Sequence, residues 1–177
     1  MDHHTIRQLR NGDEKARSEF YKQYRIKLYH YCFQLLGNRS DAEDAVHETF
    51  VRIFNGINGL QSSDAFRSWI YTIARNESLQ LLRKKRPVVL MNKEEVSDGE
   101  TIQTQIDSQE LAQYIRDEVD ALKNEYREII LLREYHHLSY EEIARVLEVS
   151  ESTVKNRLFR ARKKLYEKLK PLFDEGK

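Results

Sequence analysis

Leu138-Ser-Tyr-Glu-Glu-Ile-Ala-Arg-Val-Leu-Glu-Val-Ser-Glu-Ser-Thr-Val-Lys-Asn-Arg-Leu158 is the stretch on which the reading of this chain turns. Its apolar set, Ile143, Leu147, Val149, Val154 and Leu158, falls where two short helices meeting at a steep angle would lock together. Ala144 is the small side chain where those helices cross closely, and a larger one would force them apart. Ser139 with Glu142, and Ser150 with Thr153, stand at the two helix starts. The first pair fits a reciprocal capping box and the second keeps its N-cap half. This is the pattern of a helix-turn-helix, whose second helix is offered to the major groove. Glu148 occupies a turn position that often holds Gly, because a left-handed backbone costs other residues roughly 1 kcal/mol. A strained or altered turn is therefore expected there.

On the second helix Lys155, Asn156, Phe159, Arg160 and Lys163 are separated by one, three and four residues, so they crowd one side of the cylinder. Asn and Arg can hydrogen-bond base edges, Lys and Arg can hold phosphates, and Phe159 can meet a thymine methyl. A solvated basic face is the plainer alternative. The independent turn pattern in front of the face favours DNA.

Outside this motif the formal net charge of +1 conceals segments of opposite sign. Residues 151–170 hold eight Lys or Arg against Glu151 and Glu167, and residues 62–86 hold six against Asp64 and Glu77. Residues 92–125 hold ten acids against Lys93, Arg116 and Lys123. Two basic blocks with an acidic one between them suggest two surfaces for a polyanion, joined by a segment that avoids it.

The 177 residues suffice for one ordinary domain or two small ones. Two prolines and six glycines interrupt a chain rich in Leu, Glu, Lys, Arg, Ile and Ala at helical spacing, which makes the fold all-α. Helices are expected over about 5–12, 15–36, 40–56, 64–86, 108–121, 124–135, 139–147 and 150–169, the third opening on a Ser40–Glu43 capping box. Residues 87–109 lose periodicity and gather Pro, Gly, Asp, Ser, Thr and Gln, as a flexible acidic linker would. Two small helical domains, 1–86 and 110–177, are expected on either side of it. No apolar run approaches the roughly 18 residues of a membrane span, and the polar start lacks a secretion signal, so a cytoplasmic location is expected without membrane insertion. Cys32 is the single cysteine, expected in the core; neither a cofactor nor a metal site is implied.

In the helix over 40–56, Ala42, Val46, Phe50 and Ile53 form an apolar stripe while Asp41, Asp44, His47 and Glu48 project elsewhere. These carboxylates have no neighbouring nucleophile, Gly-rich loop or spaced His ligands, so a protein-contact face is favoured over acid-base or metal chemistry. The helix over 64–86 buries Phe66, Ile70, Ile73 and Trp69 and ends in a basic cluster. Cations suit a helix C-terminus, but four in a row exceed that need.

With Asp41-Ala-Glu-Asp-Ala-Val-His-Glu-Thr-Phe50, Phe66-Arg-Ser-Trp-Ile-Tyr-Thr-Ile-Ala-Arg-Asn76 and the helix-turn-helix in this order, the chain resembles the extracytoplasmic-function (ECF) group of the sigma-70 family over essentially its whole length. The resemblance implies a sigma-2 domain and a sigma-4 domain without a sigma-3 domain between them. It implies a factor without enzymatic activity that binds core RNA polymerase and promoter DNA and is held in check by an anti-sigma factor. By resemblance Asp41, Asp44, His47 and Glu48 dock on the polymerase clamp helices, with His47 where the family usually carries Gln. The loop 55–64, through Asn58 and Ser62, holds an extruded base of the minus-ten element, and Asn76, Arg83 and Lys84 follow the strand backbone. Gly56 and Gly59 in that loop suit a close approach to a ligand and an ordinary turn equally well. Lys155, Asn156, Arg157, Phe159, Arg160 and Lys163 would meet the minus-thirty-five element. Lys123 stands where Pro is common before the next helix. The alternatives are a stand-alone helix-turn-helix regulator, which leaves the acidic helix and second basic block without a purpose, and a metal-dependent enzyme of nucleic acids, for which His136-His137 is a weak basis.

Overall fold

A computed structural model describes residues 3–60, 62–84 and 106–174. Among them the regular structure is helical throughout: α1 His3–Arg10, α2 Glu14–Leu36, α3 Arg39–Gly56, α4 Phe66–Lys84, α5 Ile106–Asp120, α6 Asn124–Ile130, α7 Tyr140–Leu147 and α8 Glu151–Asp174. Two single 3-10 turns, Ile57–Gly59 and Ser63–Ala65, join α3 to α4, and a π-helical turn, Leu131–Tyr135, follows α6. Residues 3–84 with Glu141–Glu148 make one compact unit, and residues 106–140 with 149–174 make the other. No helix among the described residues is long and apolar enough to cross a membrane.

The first unit is built on α2, α3 and α4. Asp13 starts α2 by accepting from the Ala16 amide at 2.9 Å, and Gly37 ends it in the left-handed conformation, φ +68°, with its N–H bonded to the Phe33 carbonyl. That cap leaves Asn38 alone to turn the chain into α3, where its Oδ1 accepts from Asp41 N at 3.0 Å. Asn38 is therefore the N-cap, and the expected Ser40–Glu43 box does not form. Asn caps as well as Ser does, and the Gly37-Asn38 pair places it two residues earlier. Phe20 anchors the core through ring contacts with Tyr24, Phe50 and Phe66 at centroid distances of 4.7, 5.7 and 5.7 Å. Tyr31, Cys32, Ala45, Ile53, Ile70 and Ala74 are fully enclosed. Burial pushes the Cys32 thiol up to about 12, which keeps it protonated and a packing residue, as its position suggested. Arg52 Nε meets Glu77 Oε1 at 2.6 Å, fastening α3 to α4 through a carboxylate that is otherwise buried.

Of the core expected on α4, Phe66 and Ile70 are buried while Trp69 and Ile73 are half-buried. The helix begins later than expected because Ser62 Oγ accepts from Asp64 N at 3.2 Å and holds the preceding residues in a 3-10 turn.

The second unit packs α6 against α8, with Val119, Tyr126, Ile129, Ile130, Leu132, Val154, Leu158 and Ala161 buried. The helix expected over 124–135 changes hydrogen bonding at Leu131, whose carbonyl accepts from His136 N at 3.0 Å, the five-residue step of a π turn. His137 then takes φ +53° and ends the segment. His136 is buried and His137 exposed, so the adjacent histidines do not converge. Lys123, before α6, has φ −55° and ψ 143°, a backbone that proline adopts freely. Most of the expected linker lies outside the described residues, and its last four, 106–109, already belong to α5.

Candidate nucleic-acid interface

The turn between α7 and α8 carries the strain foreseen at Glu148, which takes φ +55°. Ser150 caps α8, its Oγ accepting from Thr153 N at 3.2 Å, and α8 then runs for 24 residues. Ile143 and Leu147 are buried on α7 together with Val146, while Ala144 and Val149 are half-buried. On α8 the buried row Val154, Leu158, Ala161 sends the opposite side outward. Lys155, Asn156, Phe159, Arg160 and Lys163 are all exposed there, and Phe159 keeps 69% of its surface open. A single exposed Phe is ordinary on a protein surface, but one set between basic side chains can meet a thymine methyl.

Arg157 lies at the edge of this face. It lies one helical turn before the buried Ala161, is half-buried, and its Nε is 3.4 Å from Glu125 Oε2 of α6. Its guanidinium reaches back toward α6, so of the expected α8 contacts it is the one turned furthest from the middle of the face. Arg162 flanks the face on the other side, with Nη2 2.6 Å from Glu134 Oε1. Arg133 steadies the chain before α7, donating to the Leu138 carbonyl at 2.7 Å with its guanidinium 4.9 Å from the Tyr140 ring centre. These bracing contacts bridge from five to 32 positions along the chain, and local periodicity signals none of them.

On α3 the outward face consists of Asp44, His47 and Glu48 around the partly exposed Val51. Asp41 departs from the expected grouping, being only 9% exposed. The reason is a second buried row, Asp41, Ala45 and Thr49, beside the expected stripe of Ala42, Val46, Phe50 and Ile53. Asp44 and Glu48 are therefore the accessible carboxylates grouped with His47 on that face.

The remaining candidates fall into two groups. Asn58 and Ser62 are exposed on the loop between α3 and α4, and Ser62 also caps the turn that follows. Asn76 and Arg83 lie seven residues apart on one side of α4, with exposed Gln80 between them and Lys84 beside. Gln80 was not singled out from the sequence, although its spacing signals it. A Cβ at Gly56 would stand 3.3 Å from the Trp69 ring, while one at Gly59 would meet nothing within 4 Å, and neither glycine has positive φ. Gly56 is therefore a packing contact and Gly59 an open spot on the loop surface. Arg10 of α1, which no sequence motif signals, donates to the carbonyls of Ile57 and Leu60 of this loop.

The family model described as Sigma-70 region 2 matches residues 20–88, and that described as Sigma-70, region 4 matches residues 112–165. The chain is 31% identical to the ECF RNA polymerase sigma factor SigW of Bacillus subtilis (strain 168), covering 94% of this chain and 96% of the relative. It is 32% identical to the RNA polymerase sigma factor YlaC of the same organism, over 83% and 88% of the two chains. Among solved structures, the sigma factor RpoE bound to the anti-sigma factor NepR, from Bartonella quintana, superposes with a TM-score of 0.67 at 25% identity, covering 86% of this chain and 97% of that one.

Proposed function

We propose, for a chain that belongs to the extracytoplasmic-function group of the sigma-70 family of RNA polymerase sigma factors, that its two charged helix faces divide the work of transcription initiation between polymerase and promoter. The acidic face of α3, Asp44, His47 and Glu48, docks on core polymerase. The face of α8, Lys155, Asn156, Phe159, Arg160 and Lys163, enters the major groove at the minus-thirty-five element. Asn58 and Ser62 take an extruded base of the minus-ten element, and Asn76, Arg83 and Lys84 hold the adjoining strand. The chain carries out no chemistry; polymerase does, in the cytoplasm, while this factor selects the promoter and favours the opened strands. The observation that carries the reading is the pairing of an outward acidic face and an outward basic face on different units of one chain. A stand-alone DNA binder has use only for the basic one.

Control by an anti-sigma factor is part of the proposal, since the RpoE structure holds such a partner. A protein that covered Asp44, His47 and Glu48 would compete directly with polymerase.

Pull-down of bacterial core polymerase by the wild-type chain and by an Asp44→Arg, Glu48→Arg variant, followed by run-off transcription, tests the reading. Binding by the wild type, its loss in the variant, and promoter-dependent transcripts are expected. Tight promoter binding by the chain alone, with no retention of polymerase, would replace this reading with the stand-alone regulator.

A further inference from the structure

The loop between α3 and α4 is tied to α1 from below. Arg10, the last residue of α1, donates from Nε to the Ile57 carbonyl at 3.4 Å and from Nη2 to the Leu60 carbonyl. Leu60 N–H in turn donates to the Ile57 carbonyl at 3.3 Å, closing the turn that the guanidinium spans. At the other end of α1, His3 Nδ1 is within hydrogen-bonding distance of Ser63 Oγ. The helix providing these ties is itself seated by the buried side chains of Ile6 and Leu9.

Within the loop, Ile57 and Leu60 point their side chains inward and are buried, whereas Asn58 and Gly59 are exposed. The space above Gly59 is open. One surface of the turn is thus fastened by side-chain packing and a charged fork, and the other is bare. A planar guanidinium with donors at fixed spacing sets the distance between two carbonyls, which the single rotating ammonium of Lys cannot do.

We infer that Arg10 is a positioning residue for minus-ten recognition: by holding the Ile57 and Leu60 carbonyls it fixes the turn that presents Asn58 and Gly59 to the extruded base. This rests on the loop's assignment as the base-holding element under the proposed function. Arg10 acts through the turn, the Nε and Nη2 edge of its guanidinium being taken up by the two carbonyls. A pocket for one flipped base depends on donors and acceptors being set in advance, because a misplaced backbone loses the base-edge bonds while leaving phosphate contacts intact.

The test uses polymerase holoenzyme reconstituted with the full chain and a promoter fragment that the wild-type holoenzyme selects from DNA randomised over the minus-ten element. Strand opening is followed by 2-aminopurine fluorescence on that fragment and on fragments with each minus-ten position substituted in turn. Arg10→Ala is expected to slow opening about 10-fold on the selected fragment and to flatten discrimination at one position, less than the roughly 100-fold that a 1 Å misplacement can cost. Arg10→Lys should recover less than half of that loss, and binding of a minus-thirty-five duplex should not change. Asn58→Ala, which removes a side chain from the bare surface, separates the two levels of the argument. If Asn58→Ala flattens discrimination and Arg10→Ala does not, or if Arg10→Ala slows every fragment equally, the inference is overturned and the base pocket stands. If neither variant alters discrimination, the base pocket fails and the reason for the splint goes with it.

Discussion

α3 and α8 solve one problem with opposite charges. Each is a long helix that buries an apolar row and turns a charged side to solvent, and each has an arginine at the border between the two that is bound to an acid of a neighbouring helix. On α3 that residue is Arg52, paired with Glu77 of α4; on α8 it is Arg157, paired with Glu125 of α6. Their settings differ. The Glu77 side chain keeps 7% of its surface, the Glu125 side chain 45%. A charge on the border of a helix is thus part of the fold, a charge at the middle of the outward side is available to a partner, and the depth of the acid decides how much the border pair matters.

The sharpest way to break this comparison is to remove the two border arginines. Arg52→Ala leaves a buried carboxylate without its cation and should lower stability by about 1 to 3 kcal/mol, between an exposed and a buried pair because Arg52 itself is half open to water. Chemical denaturation measures this, and a change below about 1 kcal/mol would mean that Glu77 reaches water or another donor. The next effect separates the middle of α8 from its border. Arg160→Ala should cost about 1 to 3 kcal/mol in discrimination at the minus-thirty-five element if Arg160 reads a base edge. Equal weakening on every sequence would make it a phosphate contact. Glu148→Gly relieves the left-handed backbone at the turn before α8 and should raise stability by about 1 kcal/mol in a melting experiment, with DNA sequence preference unchanged. Arg157→Ala is the smallest, about 0 to 1 kcal/mol of stability for an exposed pair, with no loss of base discrimination. Altered preference in that variant would return Arg157 to the DNA face.

What is legible in the sequence has its determinant within a turn or two of helix. Ser150 caps α8, Glu148 is left-handed, and Ala42, Val46, Phe50 and Ile53 form a buried row, because caps and 3.6-residue periodicity are local properties. The borders of the helix faces are less legible. Asp41 looked like a companion of Asp44 and Glu48, but the buried side of α3 is wide enough to include it. Arg157 has the spacing of a companion to Lys155 and Arg160, but Glu125 of α6 lies beside it, a contact that spacing does not signal. Ser40 had the right partner three residues on, yet Gly37 ended α2 so sharply that Asn38 took the cap.

The sequence by itself determined an all-α chain, a helix-turn-helix with its outward residues, an acidic helix before a basic one, and membership of a family whose motifs survive in order. The first three follow from spacing along the chain, since a helix converts spacing into direction, and the last rests on similarity to relatives. Only the tertiary structure decided which charges are spent inside the fold: Arg10 on two loop carbonyls 47 and 50 residues away, Arg52 on Glu77, Arg157 on Glu125 and Arg162 on Glu134. A long flexible side chain at the edge of a buried row can reach either solvent or a neighbouring helix, and the choice depends on which acid or carbonyl the packing of distant helices brings within reach.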